Sequence, residues 1–288
     1  MTMKYYYKVA EHTFSMELPQ GERIVDEMGQ YAPFAVSETD EVVFRIKMVG
    51  KEDFPLINDL TVEMEQDDDG SQILAGRADG QPYFEFQLRG RCAARMVTNE
   101  QYSEATVLLV DEPLFGINNA LMVMYALATA NRQTALFHSS VVSCEGYAYM
   151  FLGKSGTGKS THSSLWLKHI NGAELVNDDN PVVRLMPDGF RVFGSPWSGK
   201  TPCYRNVSFP IGGIVQLSQA PYNKIRRLRP LSAYAALVPS ISGKRWDKAV
   251  ADGLHETESL LASQTAVWHL ECLPDEEAAK VCSETIKQ

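Results

Sequence analysis

One segment constrains this chain more than any other. Gly153-Lys154-Ser155-Gly156-Thr157-Gly158-Lys159-Ser160 is a complete G-x-x-x-x-G-K-[ST] pattern. Its glycines let successive backbone N–H groups turn inward and cradle phosphate oxygens. Lys159 brings a compact positive charge to the β and γ phosphates. The Ser160 hydroxyl is a ligand for Mg²⁺. The pattern needs a strand before it and a helix after it, because the helix start adds positive potential at the phosphates. Both are expected here. The apolar run Tyr147–Leu152 reads as a strand, and Thr161–Ile170 reads as a helix ended by Asn171-Gly172. Nucleotide contacts are therefore expected from Gly153, Ser155, Gly156, Thr157, Gly158, Lys159, Ser160 and Thr161. Lys154 and Ser155 lie inside the loop, and no side-chain role is assigned to them.

Two further features gain meaning from this loop. Asp178 and Asp179 stand at the end of an expected strand, 18 and 19 positions after Ser160. One carboxylate there can hold Mg²⁺, directly or through water. Its neighbour can accept a proton from a hydroxyl nucleophile. His138 precedes the expected strand 139–143, and Cys144-Glu145-Gly146 turns that strand back into Tyr147–Leu152. If the two strands pair antiparallel, His138 lies at the same sheet end as Gly153.

The rest of the chain supplies a frame. Its 288 residues suit two domains. Residues 1–112 are expected to form an antiparallel β domain, with strands at Tyr5–Val9, Thr13–Leu18, Val42–Val49, Leu60–Glu65, Gln72–Arg77, Tyr83–Leu88 and Ala105–Val110. Asp67-Asp68-Asp69-Gly70 and Asp79-Gly80 read as hairpin turns. A connecting helix is expected over 113–132. A mixed α/β nucleotide-binding domain is expected over 133–288. Within it, Val182–Met186 and Phe190–Phe193 read as a hairpin. Ile211–Leu217 and Ile225–Leu228 read as strands, and Ser232–Val238 and Asp275–Ile286 as helices.

Charge narrows the partners. Lys and Arg total 27 against 36 Asp and Glu, a net charge of −9. Such a chain does not draw DNA or an anionic membrane to its whole surface. No stretch reaches the roughly 18 apolar residues that span a bilayer. Five scattered cysteines without a CxxC pair read as free thiols, and with no signal-peptide pattern they point to the cytoplasm.

At these residues a resemblance appears. Gly153–Ser160 followed by Thr161-His162-Ser163 resembles the kinase motif of ATP-dependent phosphoenolpyruvate carboxykinases. The order His138, glycine-rich loop, Asp178-Asp179 is similar to that in HPr kinase/phosphorylases at nearly this spacing. The overall organisation looks closer to HPr kinase-like proteins, which join an N-terminal domain to a C-terminal kinase domain. The resemblance covers roughly residues 136–220. It implies a P-loop kinase domain of the HPr kinase/PEP carboxykinase-like type and a Mg²⁺- and ATP-dependent activity. It also implies that Lys159 binds phosphates and that Ser160 and Asp179 hold Mg²⁺. Asp178 would act as base, and His138 would assist beside the transferred phosphoryl group. A homo-oligomer is in keeping with such proteins. In place of the glycine-rich segment with Glu and Arg found in HPr kinases, this chain has Phe193-Gly194-Ser195-Pro196-Trp197-Ser198-Gly199-Lys200. That departure argues against HPr itself as acceptor.

The remaining constellations divide. Trp197, Lys200 and Arg205 are candidate substrate contacts, against a plain loop with a docked aromatic. Lys224, Arg226, Arg227 and Arg229 read first as a solvated edge strand, with docking of an acidic group as the rival. Ser242–Trp246 reads as a possible lid. His162, His169, His255 and His269 receive no role. Three activities follow: phosphoryl transfer to a hydroxyl, nucleotide binding without turnover, or carboxykinase-like decarboxylation. Chain length disfavours the last. ATP, GTP and pyrophosphate all remain open as donor on the residues alone.

Overall fold

The computed structural model describes residues 2–21, 23–68, 70–199 and 201–287. Asp69 of the expected acidic turn and Lys200, a candidate contact, lie outside the described residues. The architecture is mixed α/β, with two nine-stranded sheets. The chain divides into two compact units, Met1–Thr129 and Ala130–Gln288. No helix among the described residues is long and apolar enough to cross a membrane.

The first unit contains β1 (Thr2–Val9), β2 (His12–Pro19), α1 (Ile24–Glu27), a 3-10 turn (Gly29–Phe34), β3 (Ala35–Val36) and β4 (Arg45–Met48). It continues with β5 (Leu60–Asp68), β6 (Ser71–Ala78), β7 (Gln81–Leu88), β8 (Arg91–Thr98), β9 (Glu104–Leu109) and α2 (Pro113–Thr129). The sheet order is β3-β1-β2-β4-β9-β8-β7-β6-β5. The sequence reading expected an antiparallel sheet, and this sheet departs from that at one strand. β4 runs parallel to both β2 and β9. The links that enter and leave β4 are long, with α1 in one and the β5–β8 meander in the other, and parallel pairing needs such crossovers.

β8 escapes a reading by alternation because it is rich in alanine, a weak strand former. Packing explains the alanines. A Cβ on Gly116 of α2 would stand 2.7 Å from the Ala93 carbonyl oxygen and 2.7 Å from the Ala94 Cβ. Only small residues let the helix approach β8 this closely. α2 packs on β7, β8 and β9 of its own unit and ends at Thr129, so it serves as this unit's core helix.

The second unit contains β10 (Thr134–Leu136), β11 (Ser139–Cys144), β12 (Tyr147–Leu152), α3 (Lys159–His169), β13 (Glu174–Asp179), β14 (Val182–Met186) and β15 (Gly189–Phe193). β16 (Ser208–Gln219), β17 (Lys224–Arg227), α4 (Pro230–Leu237), α5 (Lys248–Gln264), β18 (Val267–Cys272) and α6 (Glu276–Ile286) complete it. The sheet runs β10-β14-β15-β16-β12-β11-β13. The long β16 branches it. Its first half pairs with β15 and its second half with β18, while β12 runs parallel along its other side. Trp166 of α3 and Ala279, Cys282 and Ile286 of α6 close over Val142, Phe151, Val215 and Leu270 as one apolar core. The sequence reading lacked α5 and β18. Asp247 caps α5 by accepting from Ala249 N–H at 3.0 Å, the usual way an Asp satisfies a helix start.

Candidate functional site

The Gly153–Ser160 loop leaves the end of β12 and runs straight into α3. Gly156 and Gly158 hold φ of +77° and +110°, a region that residues with a Cβ rarely enter. Gly158 is the cap residue of α3, so the loop ends where the helix begins to present unpaired N–H groups. Lys159 is nearly buried and donates from Nζ to the Gly153 carbonyl at 3.0 Å. Lys154, Ser155, Gly156, Ser160 and Thr161 are exposed, and Gly153 and Thr157 are half-buried. Three side chains that the sequence reading missed fix the loop and the helix after it. Gln219, at the end of β16, donates from Nε2 to the Gly156 carbonyl at 3.3 Å and the Thr157 carbonyl at 3.5 Å. Ser140 and Ser163 share a buried hydrogen bond of 2.6 Å that ties β11 to α3.

Strand register gathers the other candidates. Ser139 pairs with Leu152 on one side and with Asp179 on the other. His138 therefore precedes a position flanked both by the root of the loop and by the acidic pair. Its Nε2 lies 3.9 Å from Asp179 Oδ1. Asp179 Oδ2 accepts from Asn180 Nδ2 at 2.8 Å. Asp178 is 5% exposed, and its carboxylate receives no hydrogen bond from the described residues.

The segment after β15 turns out to be structural in a specific way. Asn177 donates from Nδ2 to Ser195 Oγ and to the Trp197 carbonyl, each at 3.2 Å, and accepts from Asn180 N–H at 2.9 Å. Gly199 N–H donates to the Asp178 carbonyl at 2.6 Å. Gly194–Gly199 thus docks along the end of β13 and braces the Asp178–Asp179 backbone. Trp197 is 2% exposed, so its ring is packed inside and not offered to a substrate. Arg205 is also placed elsewhere than expected. It donates to the Leu175 carbonyl at 2.7 Å and to Glu174 at 2.9 Å, at the opposite end of β13 from Asp178. Composition marked this segment as a loop; only the amide of Asn177 shows that it turns inward.

The Ser242–Trp246 segment is anchored. Lys244 is buried, and Arg245 donates to the Val238 carbonyl and to the fully buried Glu258. β17 pairs with β18, and its cations Lys224, Arg226 and Arg227 are exposed, as a solvated strand would have them. His162 faces the core. Its ring meets Phe151 edge-on at 4.7 Å and accepts from Trp166 Nε1 at 3.2 Å. Burial pushes its pKa down to about 4, so the ring is neutral near pH 7.

The donors fit Mg²⁺ shared with a phosphate. Ser160 and Asp179 supply hard oxygens, and Mg²⁺ takes one or two protein carboxylates while keeping water and phosphate ligands. Among the described residues, no group of three or more His, Cys, Asp and Glu side chains can hold a metal by itself. No protein-family model matches the chain, and no curated protein matches it.

Proposed function

We propose that the chain is a Mg²⁺- and ATP-dependent phosphotransferase that moves the γ-phosphoryl group to a hydroxyl, a serine in a protein, peptide or small molecule. One observation carries this reading. Ser139 pairs with both Leu152 and Asp179, so the root of the glycine loop, His138 and the acidic pair share one sheet edge. The motif order common to HPr kinase-like proteins supports it.

In this reading the loop N–H groups and Lys159 hold and orient the phosphates. Ser160 and Asp179 would hold Mg²⁺, which would supply charge neutralisation at the phosphates. Asp178 accepts the proton of the attacking hydroxyl as its oxygen bonds to the γ-phosphorus and the bond from that phosphorus to the β–γ bridging oxygen breaks, with ADP as leaving group. The near-burial of Asp178 suits it to that task. His138, beside Asp179, lends a donor to the equatorial phosphate oxygens. The catalytic gain is mostly positioning and charge neutralisation.

The test is transfer of label from γ-labelled ATP with Mg²⁺ into the protein-plus-peptide and the small-molecule fractions of a cell extract. Wild type is expected to label one fraction. Asp178→Asn is expected to lower transfer by about 100-fold or more while still binding ATP. Unchanged transfer in that variant would remove Asp178 as base. Tight ATP binding with no label in either fraction would favour a nucleotide-binding regulatory module.

A further inference from the structure

The anchored stretch around Ser242 is tied to the strand segment that carries His138. After α4 the chain makes a 3-10 turn (Val238–Ser240) and then runs alongside Leu136–His138. His138 N–H donates to the Ser240 carbonyl at 2.7 Å, and Ser242 N–H donates to the Leu136 carbonyl at 2.9 Å. Phe137 and Ile241 form an antiparallel bridge between these two bonds. On its other flank Phe137 N–H donates to the Pro181 carbonyl at 3.0 Å. His138 therefore emerges from backbone held on both sides, and its Nε2 stands 3.9 Å from Asp179 Oδ1.

One buried carboxylate fixes the Ser240–Ser242 segment. The Glu258 side chain of α5 has no exposed surface. One of its oxygens accepts from Arg245, and the other accepts from the Tyr234 hydroxyl at 3.1 Å. Arg245 also donates to the Val238 carbonyl at 3.3 Å. Tyr234 precedes the segment in the chain and Arg245 follows it, so Glu258 clamps it from both ends. A buried ion pair adds little net stability, because desolvation cancels much of the attraction. It does supply directional, charge-assisted hydrogen bonds, which an apolar contact lacks.

We propose that Glu258 and Arg245 are positioning residues for His138. They set Ser240–Ser242, whose backbone holds the His138 N–H, and so fix the imidazole against Asp179. The inference rests on the phosphoryl-transfer reading of that sheet edge. It extends that reading to a charge pair outside the motif residues.

The test replaces the pair with apolar side chains, Arg245→Met together with Glu258→Leu. The exchange leaves neighbouring polar groups partnered. The Val238 carbonyl keeps the Ile241 N–H at 3.3 Å, and the Tyr234 hydroxyl keeps His255 Nδ1 at 2.9 Å. The urea midpoint of the double variant is expected at or above that of wild type. Its ATP affinity is expected to stay within about twofold. Its kcat for transfer of γ-label is expected to fall about 10-fold or more, the scale of a displaced catalytic group. The deciding measurement repeats the exchange in a His138→Ala background, where kcat is expected to fall by less than about twofold. An equal fractional loss in both backgrounds, or wild-type kcat in the folded double variant, overturns the inference. If the double variant does not fold, Ser242→Pro makes the same comparison. It deletes the N–H that reaches Leu136, and Ile241 already has the extended backbone that a following proline requires. Its loss of kcat is likewise expected to vanish in the His138→Ala background, and persistence there overturns the inference. Absence of transfer by wild type overturns the phosphoryl-transfer reading and this inference with it, whereas transfer by wild type with no dependence on the pair overturns this inference alone.

Discussion

The two units of this protein are built on sheets of equal strand number by opposite routes. In the first, β5 to β9 form a meander in which each strand pairs with its neighbour in sequence. Successive strand ends therefore alternate between the two edges of the sheet. In the second, β12 lies beside β16, which arrives only after α3, β13, β14 and β15, and runs parallel to it. β18 then joins β16 in parallel. β13, antiparallel to β11, runs in the same direction as β12. Four strands end at one edge, where loops of differing chemistry converge. Open α/β sheets bind ligands at that kind of edge. The first unit has a cavity of about 400 Å³, but it mixes Lys4, Arg45 and Lys47 with Glu17 and Glu104 on a sheet face. Charges of both signs there focus no ligand of one charge. The contrast teaches that parallel crossovers, more than strand number, determine where chemistry can assemble.

This contrast can be broken at several points. The largest effect is expected at Lys159. Two charge-assisted hydrogen bonds to phosphate at about 2 kcal/mol each make Lys159→Ala roughly 1,000-fold weaker for ATP. Calorimetric titration reads this directly, and a variant that binds ATP normally would separate the loop from nucleotide binding. A paired glycine experiment comes next. A Cβ at Gly76 would stand 2.0 Å from the Thr61 carbonyl oxygen of β5, and one at Gly194 would stand 1.9 Å from the Arg205 carbonyl oxygen. Each alanine variant is expected to lose about 2–3 kcal/mol of stability in urea unfolding. Only Gly194→Ala is expected to lower transfer as well, because its loop braces Asp178. Equal transfer in both variants would detach that loop from the site.

The third effect is a pH dependence confined to the second unit. His162 is protonated near pH 6.5 in the unfolded chain but only near pH 4 in the folded one. Its contribution is present above pH 6.5 and is lost as pH falls toward 4. Between pH 7 and 4.5 that amounts to about 2 kcal/mol, and His162→Phe is expected to flatten the slope of stability against pH. The same slope in the variant would place the titration elsewhere. The smallest effect is expected at Arg205. It is partly exposed and bonded to Glu174 and Leu175, so Arg205→Ala should change stability by under about 1 kcal/mol and transfer by less than about twofold. A large loss of transfer would return it to the site.

Much of the candidate site could be read in one dimension because its chemistry is local. The strand before Gly153 and the helix after it stand where they were expected, and Glu145-Gly146 makes the tight turn that brings Ser139 opposite Leu152. Other parts were hidden for particular reasons. β8 carries alanines chosen by the approach of α2. Trp197 sits in a segment with loop composition, yet the Asn177 amide folds that segment inward. Arg205 is close to the acidic pair in sequence space only by way of the loop. Gln219 gave no signal, since a glutamine at a strand end touches the glycine loop only through the parallel pairing of β12 and β16.

By itself, the sequence determined the local geometry of the glycine loop. Positive φ at Gly156 and Gly158, the cap at the start of α3 and the placement of Lys159 depend on residues within eight positions of one another. It also determined that His138 and Leu152 share a strand end, because a two-residue hairpin sets its own register. Only the tertiary structure decided that β13 would pair along the other side of β11, that Ser240–Ser242 would run beside His138, and that Gly194–Gly199 would buttress Asp178. Those contacts join segments far apart in the chain. Pairings of that kind are selected by burial of a common core and by side-chain packing, which no local pattern encodes.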